Sequence, residues 1–293
     1  MDLVVGVDAG GTSTRAVVAE VHGAVIGRGS AGPGNPLTAG FEAAAEAMGS
    51  AVRTALGTLP PARVARGVLG IAGTSCLTAG NGLPAYEKVW NSLGLTAPMM
   101  VVGDVVTAFA AGTHAPSGVV LIAGTGAIAA QIDGERVMRT VDGNGWLLGD
   151  FGSGRWIGLA ALRAAVRDWS SPFAAAVADQ VSVTSADDLV AWAQRLPFPE
   201  IDALAPLVCE LSQLADPQAR AITSSAAAEL VSTLDQVSPT GPVVLAGSLL
   251  SNDTPVREKV RAILHSRAVE TTTSTDPAAG AARLAARALA NSR

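Results

Sequence analysis

The chain has 293 residues, 49% of them hydrophobic and 15% charged, with a formal net charge of −5. That acidic balance argues against a nucleic-acid partner, and its arginines are scattered rather than clustered, with Lys88 and Lys259 the only lysines. Two cysteines (Cys76, Cys209) and three separated histidines (His22, His114, His265) supply no disulfide framework, zinc set or imidazole-centred catalysis. No run approaches about 18 strongly apolar residues, which speaks against a membrane span, and the start lacks the basic segment of a signal peptide. A reducing cytoplasm is the expected setting.

The opening stretch Val4-Val-Gly-Val-Asp8-Ala-Gly10-Gly11-Thr12-Ser13-Thr14-Arg-Ala-Val-Val18 reads as two strands around a tight turn. Gly10 and Gly11 let backbone approach a ligand, and Thr12 and Ser13 offer hydroxyl and amide donors, so the turn can cradle a phosphate. A carboxylate beside a phosphate needs a cation between them, which makes Asp8 the candidate Mg²⁺ residue. The alternative is a plain hairpin whose Asp and glycines only form the turn.

A third strand over 24–29 leads into the loop Ser30-Ala-Gly-Pro-Gly-Asn35-Pro36, where Asn35 is either a turn former or a ligand contact. Apolar residues at three- and four-residue intervals predict a helix over 40–57. Then come a strand over 67–72 continuing into a Gly73-Thr74-Ser75 loop, a helix over 83–93 and a strand over 99–102. Gly103-Asp104 follows, with a helix over 105–112. Asp104, at or near that helix's N-cap, either caps it or is a general base at the carboxyl end of a strand.

Residues 119–140 repeat the opening order of strand, Gly124-Thr125-Gly126 turn, strand, turn and strand. Two such units about 115 residues apart predict a duplicated α/β architecture, each half bringing one phosphate loop to a nucleoside triphosphate. The stretch Asp142-Gly-Asn-Gly145-Trp146-Leu-Leu-Gly-Asp150-Phe-Gly-Ser-Gly-Arg-Trp156 is too glycine-rich for helix or strand and reads as a binding loop. In it Trp146 either stacks on a ligand or sits in the core, and Asp150 can accept from ligand hydroxyls. Residues 155–237 read as helices without chemistry, over 157–168, 172–177, 186–195, 201–214 and 217–234. A strand ending at Gly247-Ser248 offers either an adenine edge or plain packing. A helix over 255–265, a strand over 269–273 and an alanine-rich helix over 277–291 close the chain.

With these motifs in order, the sequence resembles the N-acetylglucosamine kinases and related BadF/BadG-type ATPases of the actin-like, hexokinase and sugar-kinase superfamily. The similarity rests on Asp8-Ala-Gly-Gly-Thr12, Gly103-Asp104, Ala123-Gly-Thr-Gly126, Gly143-Asn-Gly-Trp-Leu-Leu-Gly-Asp150, Gly152-Ser-Gly154 and Leu245-Ala-Gly-Ser248. It implies two actin-like (ribonuclease H-like) α/β domains with a central cleft that closes on its substrates. The expected boundaries are 1–112 and 113–293, with a helical insertion over 155–237 and the helix over 277–291 packing back on the first domain.

The resemblance also implies ATP with Mg²⁺ as cofactors, and transfer of phosphate to the 6-hydroxyl of N-acetylglucosamine or glucosamine. Asp8, Gly10, Gly11, Thr12, Ser13, Gly124, Thr125 and Gly126 would hold the phosphates, and Gly247-Ser248 would lie at the adenosine. Asp104 would be the base, and Asn35, Asp104, Gly145, Trp146 and Asp150 would line the sugar pocket. A homodimer is implied too. The chain departs from the family where Asp150-Phe151-Gly152-Ser153 replaces the usual Asp-Glu-Gly-Ser, and it lacks the cysteine-rich zinc motif of the related repressor/kinase family. An ATPase that energises a partner protein, or a non-catalytic sugar or nucleotide sensor, are the competing readings.

Overall fold

The computed structural model describes residues 2–72, 82–238 and 240–291; the Gly73-Thr74-Ser75 loop and Cys76 lie outside them. The first strands are β1 (Leu3–Ala9), β2 (Thr14–Glu20) and β3 (Val25–Ala31), followed by α1 (Pro36–Ala39), α2 (Phe41–Leu56), β4 (Val64–Ile71), α3 (Leu83–Ser92), β5 (Met99–Gly103) and α4 (Asp104–Gly112). The pattern then restarts with β6 (Ser117–Ala123), β7 (Ala127–Asp133) and β8 (Arg136–Asp142). Six helices follow: α5 (Gly154–Arg167), α6 (Pro172–Val181), α7 (Ala186–Ala193), α8 (Phe198–Asp202), α9 (Leu204–Gln213) and α10 (Pro217–Val237). The chain ends with β9 (Val243–Ala246), α11 (Ser248–Ser251), α12 (Pro255–Ser266), β10 (Thr271–Thr273) and α13 (Pro277–Ala290).

Two compact units result, one from Met1–Ser117, Ile132–Met138 and Ser274–Arg293, the other from Gly118–Gln131 and Arg139–Thr273. Their sheets have the same plan, β3-β2-β1-β4-β5 and β8-β7-β6-β9-β10, the two-domain α/β fold of the actin-like proteins. In each sheet a three-strand meander is extended by two parallel strands. The continuous β-branched runs explain the central strands, since a strand covered on both faces has no polar side to alternate with.

In the first unit Leu3, Val5 and Val7 of β1 pack with Ala44, Met48 and Val52 of α2 in one core. The opposite face of β1 carries Val4, Gly6 and Asp8, because side chains alternate along a strand. Here α13 packs, so closely that a Cβ on Gly6 would strike the backbone of Ala278 and Ala282. Gly280 of α13 is pressed in the same way against Thr107 and Ala111 of α4. The second unit builds its core from Val119, Leu121 and Ala123 of β6 with apolar faces of α5 to α10, among them Ile157, Phe173, Leu230 and Leu234. Among the described residues no helix is long and apolar enough to cross a membrane.

Candidate functional site

In the first unit the hairpin register runs without a break to Ala9↔Thr14, so the turn of residues 10–13 starts where pairing stops. Gly10 N–H donates to the Ser13 carbonyl (3.0 Å), closing it. Gly10 C=O accepts from the N–H groups of Gly34 (2.9 Å) and Asn35 (3.1 Å), and the buried Thr14 hydroxyl donates to Gly32 C=O (2.9 Å). The loop bearing Asn35 is thereby tied to the glycine turn. Asn35 Oδ1 accepts from Leu37 N–H (2.9 Å) as the N-cap of α1, so the turn-former reading holds for that oxygen. At Gly11 an added Cβ would meet no protein atom within 4 Å and the backbone is not left-handed. Neither packing nor conformation demands glycine there, and the space in front of it suits a ligand's approach.

Asp8 and Asp104 stand at the carboxyl ends of β1 and β5, the two parallel neighbours of β4. Two strand spacings put these ends about 10 Å apart. The N-cap of α4 is Gly103, and Asp104 is the first helical residue, next to the cap, its Oδ1 accepting from Val105 N–H (2.9 Å). Burial pushes the Asp8 carboxyl up to about 7, with further upward pressure from Asp104 and Asp276 against the opposing pull of Arg15. Asp104 is raised as well, by burial, in opposition to its bond from Val105 N–H. Carboxyls this poorly compensated favour either a bound proton or a nearby cation.

That chemistry fits Mg²⁺. The ion usually takes one or two carboxylates and completes its shell with water and phosphate oxygens, so it needs no dense ligand cluster. Among the described residues there is no group of three or more His, Cys, Asp or Glu side chains gathered as for a metal.

In the second unit Gly124 N–H donates to Gly126 C=O (2.9 Å), and the turn is fastened to the start of α5 by Gly154 N–H to Gly124 C=O (2.7 Å). A Cβ on Gly126 would press on the Asp150 carboxyl, whose Oδ1 accepts from Ala127 N–H (3.0 Å). Asp150 is thus a strut between its own loop and the Gly124-Thr125-Gly126 turn. Asp142, for which sequence reasoning found no role, holds that loop in turn: its Oδ1 accepts from Asp150 N–H (2.6 Å) and its Oδ2 from Phe151 N–H (2.9 Å). Both aspartates have left-handed backbones, φ 67° and 57°, a conformation aspartate tolerates better than most residues.

Trp146 packs against Phe198 with ring centroids 5.2 Å apart, and the Arg155 guanidinium lies 4.4 Å from the centre of the same ring. Arg155 also grips Asp202 in a two-pronged ion pair, Nε to Oδ1 at 2.8 Å and Nη2 to Oδ2 at 2.6 Å. Gly145 has φ 79° and accepts from Leu148 and Gly149 N–H groups, which turns the chain sharply and leaves Leu147 and Leu148 about three-quarters exposed.

Asp202 leads into a cavity of about 370 Å³. Gly124, Thr125 and Gly154 line one part of it, one face of α9 runs alongside, and the segment from Ser248 to Thr254 forms another wall. The structure therefore brings Gly124, Thr125 and Ser248 onto one cavity. Gly247 allows this: at φ 81°, a Cβ there would collide with the backbone of Ala123. Helices α8 and α9, in the stretch whose sequence suggests no chemistry, contribute Asp202, Cys209, Glu210 and Gln213 to the lining. Asp202 is balanced by Arg155, and Asp253 on the far wall by Arg257. Glu210 has no such partner among the described residues.

The fold and motifs place the chain among known proteins. It is 26% identical over 254 residues to the N-acetyl-D-glucosamine kinase of Dictyostelium discoideum, covering 80% of this chain and 79% of that protein. It is 28% identical over 169 residues to the N-acetylmuramic acid/N-acetylglucosamine kinase of Clostridium acetobutylicum, 58% of this chain and 55% of that one. A Porphyromonas gingivalis structure with a provisional N-acetylglucosamine kinase assignment superposes with a TM-score of 0.77 at 22% identity, covering 98% and 99% of the two chains. For a ROK family glucokinase from Streptomyces griseus, solved with glucose and AMPPNP, the TM-score is 0.63 at 20% identity, with 97% and 99% covered. With its pattern matched from residue 5 to residue 285, the chain belongs to the BadF/BadG/BcrA/BcrD ATPase family.

Proposed function

We propose that this ATPase-family protein is a kinase that transfers the γ-phosphoryl group of ATP to a hydroxyl of N-acetylglucosamine, glucosamine or a near relative. The observation that carries the reading is the pair of poorly compensated carboxyls, Asp8 and Asp104, at the ends of strands flanking β4 beside a glycine turn. Phosphoryl transfer asks for positioned donors, a cation and one carboxylate on the acceptor hydroxyl, and little covalent chemistry.

In the proposed reaction Asp104 takes the proton of the acceptor hydroxyl, and that oxygen bonds to the γ-phosphorus. The bond from the γ-phosphorus to the bridging oxygen breaks, and ADP leaves with the electron pair. Bound Mg²⁺ would neutralise charge on the phosphate oxygens, held on the protein side by Asp8. Gly10 to Ser13 in one unit and Gly124 to Gly126 in the other would supply backbone donors to the phosphates. The 370 Å³ cavity would hold the nucleoside, since it is continuous with Gly124 and Thr125. Ala205 lies at the Gly124 end of α9 and Glu210 five residues on, about 7.5 Å at the rise of a helix. That spacing would set Glu210 beyond the phosphates, where an acceptor-only carboxylate would suit the exocyclic amine of adenine.

Asn35, Gly145, Trp146 and Asp150 remain the proposed surroundings of the sugar, Asp150 acting through the loop it braces. The amino-sugar acceptor is supported by the similarity to the Dictyostelium kinase. The test is ADP release with Mg²⁺ and ATP across hexoses, amino sugars and N-acetylated sugars. Stimulation by an amino or N-acetylated sugar is the expected result. ATP turnover that no sugar changes while a protein partner does would overturn the acceptor assignment.

A further inference from the structure

A second cavity, of about 660 Å³, lies in the first unit between α13, the β2–β3 turn and the loop after α4. Ala282 and Ala286 of α13 and Val25 of β3 give it an apolar floor. Around that floor stand Arg283 and Arg287, one helical turn apart, with His22 and His114 opposite. Glu20 is the only acidic residue in the lining.

The Arg283 guanidinium donates to the carbonyls of Ala110 (2.5 Å) and Thr113 (3.4 Å), neutral partners that fix it without cancelling its charge. Among the described residues the side chains of Arg287, His22 and His114 have no hydrogen-bond or ion-pair partner. The cavity thus sets two guanidinium forks and two imidazoles against one carboxylate. Guanidinium matches the planar or tetrahedral oxygens of carboxylate and phosphate, while alanine and valine offer contact to an organic body.

The helix that forms this cavity also touches both proposed reaction carboxyls' own elements. Through Gly6 its backbone rests on β1, two residues from Asp8, and through Gly280 it rests on α4, which begins at Asp104. These are backbone contacts without a cushioning side chain, so a displacement of α13 has no slack to absorb it. Asp276, the N-cap of α13, adds to the upward pressure on Asp8.

We propose that this cavity is an effector site for a small organic anion bearing a phosphate or carboxylate head, and that α13 carries the effect of its binding to β1 and α4. What that effect does to catalysis rests on the kinase reading; the site and the mechanical link do not. The experiment titrates the full chain calorimetrically with glucose 6-phosphate, citrate and, as the neutral control, glucose, then follows amide hydrogen exchange with and without the anion. The two anions separate a phosphate head from a carboxylate one.

Binding of at least one anion is expected, weakened tenfold or more by Arg287→Glu and less by His114→Ala, neither of which removes a contact within the fold. Exchange is expected to slow at least twofold in 277–290 and also to change in 3–9 and 104–112. No anion binding up to 10 mM (roughly the weak end of specific affinities), binding indifferent to both substitutions, or unchanged exchange in 3–9 and 104–112 would each overturn the proposal. None of these readouts depends on turnover, so failure of the kinase reading is seen separately.

Discussion

The two units share one strand order, and the aspartates beside their glycine turns are compensated to different degrees. In the second unit Asp142 and Asp150 accept backbone N–H groups, Asp202 is paired with Arg155 and Asp253 with Arg257. Asp8 and Asp104 of the first unit are half-buried with less compensation, Asp104 accepting from Val105 N–H, and Asp8 rises to about 7. Satisfied carboxylates hold loops in shape. Unsatisfied ones hold a capacity for protons and cations, which is what a reaction can use.

The largest expected effect breaks the contrast at its centre. Asp104→Asn keeps the shape and removes the proposed base, so the sugar-dependent rate should fall on the order of 10²-fold or more. A rate within a few-fold of the parent would show that Asp104 is not the base. Next, Asp142→Ala strands the N–H groups of Asp150 and Phe151. At about 1–3 kcal/mol for the part-buried Asp150 N–H, with the exposed Phe151 N–H free to take water, urea denaturation should show a loss of roughly 2 kcal/mol. An unchanged midpoint would mean the loop does not depend on that carboxylate.

Asp8 gives the pH dependence. Its folded pKa is raised above the unfolded one, so the stability tied to it is fully present below the usual carboxylate pKa and is lost as pH rises through about 7. In metal-free protein Asp8→Asn should match the parent near pH 4 and melt higher at pH 8. The difference is roughly 2 kcal/mol, half of what about 1.4 kcal/mol per pKa unit would allow for a fully buried group. A gap between the melting curves that is constant with pH would refute this. The smallest effect sharpens the second unit's exception: Glu210→Gln, which adds a donor where only an acceptor stood, should narrow the preference for ATP over GTP about tenfold. A preference that did not move would take Glu210 away from the base.

Much of the fold was legible because its signals are local. Apolar runs ending in glycine and a hydroxyl or acid marked β1, β5, β6 and β9, and helical spacing marked α2 almost to the residue. The expected helix over 201–214 is instead α8 and α9, broken at Ala203, with Asp202 at the end of the first accepting the Arg155 guanidinium. The break has a local cause, since Pro206 lacks the N–H that a continuous helix would give to the Asp202 carbonyl; what no local pattern reports is the partner of Asp202, 47 residues away.

The same holds for Asp142. Nothing beside it in sequence distinguishes a loop brace from one more polar loop residue, because the N–H groups it takes are eight and nine residues on. The cavity face of α9 was illegible for a related reason, since Ala205, Cys209 and Gln213 at four-residue spacing look like any helix face. By contrast, Gly10, Gly11, Gly124 and Gly126 stood out, since glycine in a strand-end turn is a choice visible in the sequence itself.

The position of α13 has a consequence for how the protein is made. Chains leave the ribosome from the N-terminus and fold domain by domain as they emerge. The second unit, complete by Thr273, can close its core while the first still lacks the helix of residues 277–290. Until then Gly6 and its neighbours on β1 face solvent on one side, and the surroundings that lift Asp8 do not exist. The carboxyl pair proposed to run the reaction therefore acquires its character only when the last helix arrives.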